Sequence, residues 1–343
     1  MKKIGILTFH EADNYGASLQ AFALQEYLSK KANCEIINYH CDYILNEVRT
    51  IKISNCSNIK RIVAFLFKKR KHDEFYKFGK EYLNLSHDYD KKNIEIVNDL
   101  YDAFIIGSDQ VWNVECTNCD ENYFAKFVKD GKELYSYAAS LGMGSYPDKY
   151  ERYLKRFNYI SLREEKYIEK FKLLEKNIRI DVDPTMLFTG EKWLEYIRKR
   201  PIKRKYVFVY LVGEPIDLVK NAQKYAEENG LKLITNKKSP EFFVHCAPMD
   251  FIDWIYYAEY IFTNSFHGTV FSLLFHKEFV IESEIVNGYN NRVCELLDGV
   301  KLSSRKLENW LKNQSSVDWE RVEELLAHKR RDSVEYLNKI SEC

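Results

Sequence analysis

At 343 residues the chain is long enough for two domains of ordinary size, and its 45% hydrophobic fraction supplies real cores. Lys and Arg number 52 against 51 Asp and Glu; a net charge of +1 removes the electrostatic argument for a nucleic-acid partner. No apolar run approaches the roughly 20 residues a membrane crossing needs, and Met1–His10 turns polar too early for a secretory signal, so a cytoplasmic protein with eight reduced cysteines is expected.

Lys3–Phe9 reads as a first strand, His10–Ser18 as a loop, and Leu19–Leu28 as a helix with Leu19, Phe22, Ala23 and Tyr27 near helical spacing. Glu35–Tyr39 is a second strand, completing a β–α–β unit with parallel pairing and a right-handed crossover. Asn14, Tyr15 and Gly16 then sit at the carboxyl end of the first strand, the edge where open α/β sheets bind ligands. The loop is not a G-x-G-x-x-G, which argues against a dinucleotide site. Residues 57–82 read as a helix carrying Lys68-Lys69-Arg70-Lys71 behind Ile62–Phe67. Such a run is either a solvated face or an apolar-plus-basic patch that rests on an anionic membrane surface.

Asp102–Gly107 is a buried strand that runs into Ser108-Asp109-Gln110-Val111-Trp112-Asn113. Trp112 would stack on an apolar sugar face while Asp109 and Gln110 take hydroxyl hydrogen bonds; the plainer reading puts Trp112 in the core. Cys116 and Cys119 have the spacing of half a zinc site, with no second pair to complete it, so no metal is expected. Tyr135–Gly142 and Tyr159–Leu162 read as strands. Arg163 follows the second of these and opens a helix. Its guanidinium either grips a carboxylate or phosphate two-pronged, or pairs with Glu164 or Glu165. Ile178–Thr185 closes the first half, with Pro184 ending the strand.

The basic, aperiodic Lys199–Lys205 segment reads as a surface connection. Tyr206–Gly213, a helix over Ile216–Asn229 stopped by Gly230, and Lys232–Thr235 form a second β–α–β unit. A short helix over Phe251–Ala258 leads into the most informative stretch. Tyr260–Thr263 is a buried strand, Asn264-Ser265-Phe266 a polar turn, and an apolar helix follows to Phe275. Ser265 and Thr269 suit a helix start, Gly268 permits close approach to the backbone, and the helix N-terminus favours an anion. His267 at that mouth would hold an anion or pass a proton; alone it would read as structural, but its small polar neighbours favour a ligand site. Phe279–Ile281 is the next strand, followed by a Gly288–Arg292 loop, a helix from Val293, and a long charged helix over Trp319–Ile340. The expected fold class is α/β: two Rossmann-like domains facing a cleft, over residues 1–190 (acceptor side) and 191–317 (donor side). The helix at 318–343 would return to the N-terminal domain.

Taken together, Gly5–Phe9 with Asn14–Ala21, Gly107–Asn113, Ser161–Glu164, Asp183–Thr185 and Ser265–Thr269 resemble the polysaccharide pyruvyl transferase family, in the family's order and over about residues 4 to 300. The resemblance implies a fold like the two-domain B-type glycosyltransferases, with no metal or cofactor. It implies transfer of a pyruvyl group from phosphoenolpyruvate, as co-substrate, to two hydroxyls of one sugar, forming a cyclic ketal. The acceptor would be a lipid-linked precursor of a cell-surface polysaccharide, at the inner face of the membrane. On this reading His267 is the acid or base and Arg163 grips a donor anion. Ser265, Phe266, Gly268, Thr269, Lys277 and Arg292 serve the donor, and Asn14, Tyr15, Gly16, Ser108, Asp109, Gln110 and Trp112 the acceptor. Relatives often carry Asp where this chain has Asn264, which weakens any role for a carboxylate orienting His267, and His276 replaces the usual Gly before Lys277. A nucleotide-sugar glycosyltransferase and a non-catalytic glycan- or anion-binding protein are the rival readings.

Overall fold

The computed structural model describes residues 1–49, 59–286, 288–313 and 315–342. The chain divides into two compact units, one of residues 1–187 with 329–343 and one of residues 188–328. Residues 57 and 58, which the sequence assigns to a helix, lie outside the described residues.

The first unit is a seven-stranded sheet of β1 (Lys3–Leu7), β2 (Asn33–Tyr39), β3 (Leu85–Tyr89), β4 (Ala103–Ile106), β5 (Glu133–Ser136), β6 (Tyr159–Leu162) and β7 (Asn177–Ile180). Its order is β3-β2-β1-β4-β5-β6-β7, and every pairing is parallel. Strand order reverses between β1 and β4, which makes their carboxyl ends the topological switch point. β4 (AFII) and Ile4, Ile6 and Leu7 of β1 are apolar and fully buried, as expected of central strands in a parallel sheet buried on both faces rather than alternating with polar residues. β3 (LSHDY) was not legible as a strand: it is a polar edge strand with no alternation, set by pairing with β2.

Helix α1 (Tyr15–Leu28) starts four residues earlier than the periodicity predicts. Asn14 is the reason: its Oδ1 accepts the Ala17 N–H at 3.2 Å, so the expected loop residues Tyr15–Ser18 already form the first turn. Helices α2 (Asp42–Arg49) and α3 (Ile59–Tyr82) fill the long β2–β3 connection. The predicted strand Tyr135–Gly142 ends at Ser136; beyond it Ala139 makes only isolated bridges to Asp109 and Leu162. The final turns of the Trp319–Glu342 helix pack in this unit, where Tyr336 donates to the Ser136 carbonyl at 2.9 Å and Ser333 accepts from the Val182 N–H at 3.0 Å.

The second unit holds β8 (Tyr206–Tyr210), β9 (Lys232–Thr235), β10 (Tyr260–Thr263) and β11 (Phe279–Ile281), a parallel sheet ordered β11-β10-β8-β9. Its switch point falls between β8 and β10. The Leu218–Glu228 helix packs Leu218, Ala222 and Ala226 against Val207, Val209 and Phe262. Among the described residues no helix is long and apolar enough to cross a membrane.

Candidate active site

The carboxyl edge of the second sheet is built on three loops joined by one asparagine. Asn264, directly after β10, accepts the Val212 N–H on Oδ1 at 2.7 Å, which ties it to the loop after β8. Its carbonyl accepts from Asn290 Nδ2 at 2.7 Å, which ties it to the loop after the hairpin at 284–289. Asn264 is 1% exposed, and its Nδ2 has no hydrogen-bond partner among the described residues. A buried donor left unmatched costs about 1–3 kcal/mol. The Phe266–Leu274 helix starts one residue on, with Ser265 as N-cap accepting the Gly268 N–H at 3.3 Å. Phe266 meets the His267 imidazole edge to face, centroids 5.2 Å apart, and the Arg292 guanidinium stands 5.9 Å over the same phenyl ring. His267 and Arg292, 25 positions apart in the chain, thus share one aromatic neighbour beside a buried amide. Ser265, Phe266 and His267 are buried, His267 retaining 7% exposure.

Three donor-side expectations change. The Gly268 and Thr269 N–H groups are taken up by the helix's own cap, through Ser265 Oγ and the Ser265 carbonyl, so they do not cradle an anion. Gly268 is required by Thr263 rather than by a ligand: a Cβ there would meet Thr263 Oγ1 at 2.5 Å. Lys277 precedes β11 while His267 follows β10, and those strands are parallel, so Lys277 sits at the opposite edge of the sheet. Its amine donates to the Tyr256 carbonyl at 2.9 Å, and burial lowers its pKa.

At the carboxyl edge of the first sheet Arg163 is enclosed by acids. Its Nη1 lies 2.5 Å from Asp183, its Nη2 3.3 Å from Asp109 and its Nε 4.0 Å from Glu164. Burial pulls its pKa down, but those carboxylates more than offset this and the net direction is up. The guanidinium is therefore engaged internally, with Asp183, Asp109 and the neighbouring Glu164 that the sequence offered as one alternative, and the expected two-pronged grip on a donor anion does not describe it. Asp109, at φ 65°, is turned to this pair and to the Gln110 N–H rather than to an acceptor. Arg163 does not open a helix; a short 3-10 turn begins at Glu165.

The acceptor-side expectations fare unevenly. Trp112 is a core residue, 0% exposed, stacked on Phe171 at 5.4 Å and donating to the Tyr123 carbonyl at 3.0 Å, so it offers no face to a sugar. Ser108 is equally buried, its hydroxyl donating to the Ala138 carbonyl at 2.8 Å. Tyr15 is buried edge to face against Phe75, with centroids 4.9 Å apart, and Gly16 is buried in the first turn of α1. Gln110 is half-buried and accepts from Asn113 at 3.2 Å; Asn14 is exposed at the helix cap. Sequence reasoning passed over the acids and imidazoles of the neighbouring loops, among them His10, Glu11, Asp13 and His40. The visible signal was His10-Glu11-Ala12-Asp13 after the first strand and His40 after the second. Among the described residues no group of three or more His, Cys, Asp or Glu is arranged to hold a metal ion.

Two parallel α/β units, each gathering polar side chains at strand carboxyl ends, define a Rossmann-like α/β protein. Residues 14–283 match the family model for polysaccharide pyruvyl transferase, and the chain belongs to that family, an enzyme family. No curated protein matches the chain. Among solved structures it is similar to S. aureus MnaA with UDP, at 13% identity and TM-score 0.49 over 100% of this chain and 91% of that one. It is also similar to a UDP-N-acetylglucosamine 2-epimerase from Listeria monocytogenes described as putative, at 11% identity and TM-score 0.49 over 93% and 90%. Likeness at that distance adds nothing to what the chain's own sheets establish.

Proposed function

We propose that this enzyme transfers a pyruvyl group from phosphoenolpyruvate to two hydroxyls of a saccharide, with the donor on the second unit and the acceptor on the first. The observation that carries the donor assignment is the grouping of His267, Arg292 and the buried Asn264 amide at one helix start. Phosphoenolpyruvate brings a carboxylate and a phosphate, so its site needs a cation and N–H donors where water is excluded. Arg292 supplies the charge and Asn264 Nδ2 a donor. His267 supplies the proton carrier, since imidazole is the side chain that gives and takes protons near neutrality.

The chemistry assigned to His267 is protonation of the methylene carbon, which leaves an oxocarbenium-like centre. A sugar hydroxyl adds to that centre and returns a proton to His267. The C–O bond to phosphate breaks, inorganic phosphate departs, and the second hydroxyl closes the ketal, its proton leaving with the phosphate. Arg163 takes a positioning role: through Asp109 and Asp183 it locks the ends of β4, β6 and β7 together. No metal or cofactor is invoked.

The acceptor we infer is lipid-linked. Helix α3 supports contact with an anionic bilayer surface, because Ile62 and Leu66 are 44% and 56% exposed ahead of exposed Lys68, Lys69 and Arg70. Lys71 is turned inward instead, donating to the Asp13 carbonyl at 2.6 Å.

The deciding experiment is incubation of the full chain with phosphoenolpyruvate and lipid-linked oligosaccharides. Release of inorganic phosphate with the mass gain of a pyruvyl ketal is expected. Release of a nucleotide from a nucleotide-sugar, with phosphoenolpyruvate inert, would replace this reading with glycosyl transfer.

A further inference from the structure

In the first unit three imidazoles from three separate segments border one cavity of about 260 Å³. His10 follows β1, His40 follows β2, and His72 lies on α3. Each is held by a neighbour. His40 Nδ1 is 2.6 Å from Glu11 Oε1 and its Nε2 3.5 Å from Asp88 Oδ1. His72 Nδ1 is 3.1 Å from Asp13 Oδ1. His10 Nε2 is 2.8 Å from Asn38 Oδ1, and Asn38 in turn donates to Asp88 at 2.7 Å. Phe75 and Tyr76 of α3 form an aromatic side of the same cavity. The cavity lies at the carboxyl ends of β1 and β2, where open α/β sheets take ligands.

The chemistry of the lining selects the occupant. A metal ion is disfavoured by geometry, since His40 and His72 face separate acids and His10 faces the Asn38 amide, rather than all three meeting at one centre. An anion is disfavoured, because Glu11, Asp13 and Asp88 face the cavity with Lys80 as the only lysine or arginine in its lining. A neutral polyhydroxylated ring suits it: carboxylates accept from hydroxyls, imidazoles donate or accept, and an aromatic ring packs on the C–H face. The volume is a little below the roughly 300–1,000 Å³ of small-molecule sites, which fits a single sugar ring better than a chain.

We infer that this His-and-carboxylate cavity is a neutral saccharide subsite, and that the ring it takes is the sugar that receives the pyruvyl group. The second clause rests on the function proposed above; the first does not. The inference moves the acceptor from Trp112 and Ser108, which are buried, to Glu11, Asp13, His40, His72, Tyr76 and Asp88.

The test is carbethoxylation of the full chain by diethyl pyrocarbonate, read residue by residue by mass spectrometry. Probes are the methyl glycosides of glucose, galactose and mannose, N-acetylglucosamine, and phosphoenolpyruvate. At least one neutral sugar should slow modification of His40 and His72 severalfold while His276 in the second unit reacts unchanged. Tyr76→Ala and Asp88→Asn should each weaken that protection. Unchanged rates at His40 and His72 with every sugar, or protection by phosphoenolpyruvate alone, overturn the subsite. A phosphoenolpyruvate-dependent rise in Tm with those histidines unprotected would sink the subsite and leave pyruvyl transfer standing. Protection by sugar, with no phosphate released from phosphoenolpyruvate, would keep the saccharide site and sink its link to that reaction.

Discussion

The carboxyl edges of the two sheets are built from similar parts and balanced in opposite ways. Around Arg163 one cation meets three acids in a buried site, pairing most closely with Asp183 and Asp109, while Glu164 Oε2 makes no hydrogen bond among the described residues. Around Asn264 the hydrogen bonds tie three loops together yet leave a buried amide donor unmatched. Ion pairs between strand ends fix geometry; an unanswered donor is a place where an acceptor can arrive. On the function proposed above, the first cluster is scaffolding and the second carries the chemistry.

The most forceful way to break this contrast is to remove the cation. Arg163→Ala leaves buried carboxylates uncompensated and should cost roughly 3–5 kcal/mol in urea unfolding. Adding Asp183→Asn should recover part of that loss. A stable Arg163→Ala with selectively impaired phosphoenolpyruvate binding would instead return the guanidinium to the donor. Next is His267→Ala, expected to lower turnover about a hundredfold or more, beyond what any loss of unfolding free energy explains. Phosphate release against an unfolding curve separates the two, and near-normal turnover would take His267 out of the mechanism. Gly268→Ala sharpens the comparison further. Its Cβ would press on Thr263 Oγ1, which already donates to the Tyr210 carbonyl at 2.7 Å. A stability loss of about 1–3 kcal/mol is expected from overpacking, with activity falling alongside.

The smallest effect concerns Asp253, away from both clusters. Burial is the main cause that raises its pKa to about 6 from 3.8. The folded state therefore holds a proton that the unfolded state has released, so stability falls as pH rises from about 4 through about 6. Asp253→Asn should remove that contribution, and a Tm difference between wild type and variant that stays constant across the window would contradict the burial.

The fold was largely legible because its strands are continuous apolar runs punctuated by Gly, Pro and Asn; β1, β4, β8 and β10 are of that kind. β3 was not legible, since its polar residues make an edge strand only through pairing with β2. The strand–turn–helix around His267 was readable from local chemistry, as its cap residues are contiguous. What local chemistry missed was partnership across the chain. Arg163 lies 54 positions from Asp109 and 20 from Asp183, and no local pattern marks such pairs. Trp112 looked like a sugar platform because a loop position says nothing of the Phe124, Phe157 and Phe171 rings folded onto it. The two departures noted at Asn264 and His276 differ in weight. The amide at 264 is central to its edge, whereas His276, next to Lys277, belongs to the far side of the sheet.

Because one residue ties three loops, through its side-chain oxygen to Val212 and its backbone carbonyl to Asn290, whatever engages the Asn264 amide acts beside both contacts. A donor oxygen accepting from Nδ2 would stiffen the Val212 and Asn290 segments in concert, and the Val212 amide hydrogen should then exchange more slowly with solvent. If the donor is phosphoenolpyruvate as proposed, such coupling predicts an ordered kinetic scheme in which it enters first.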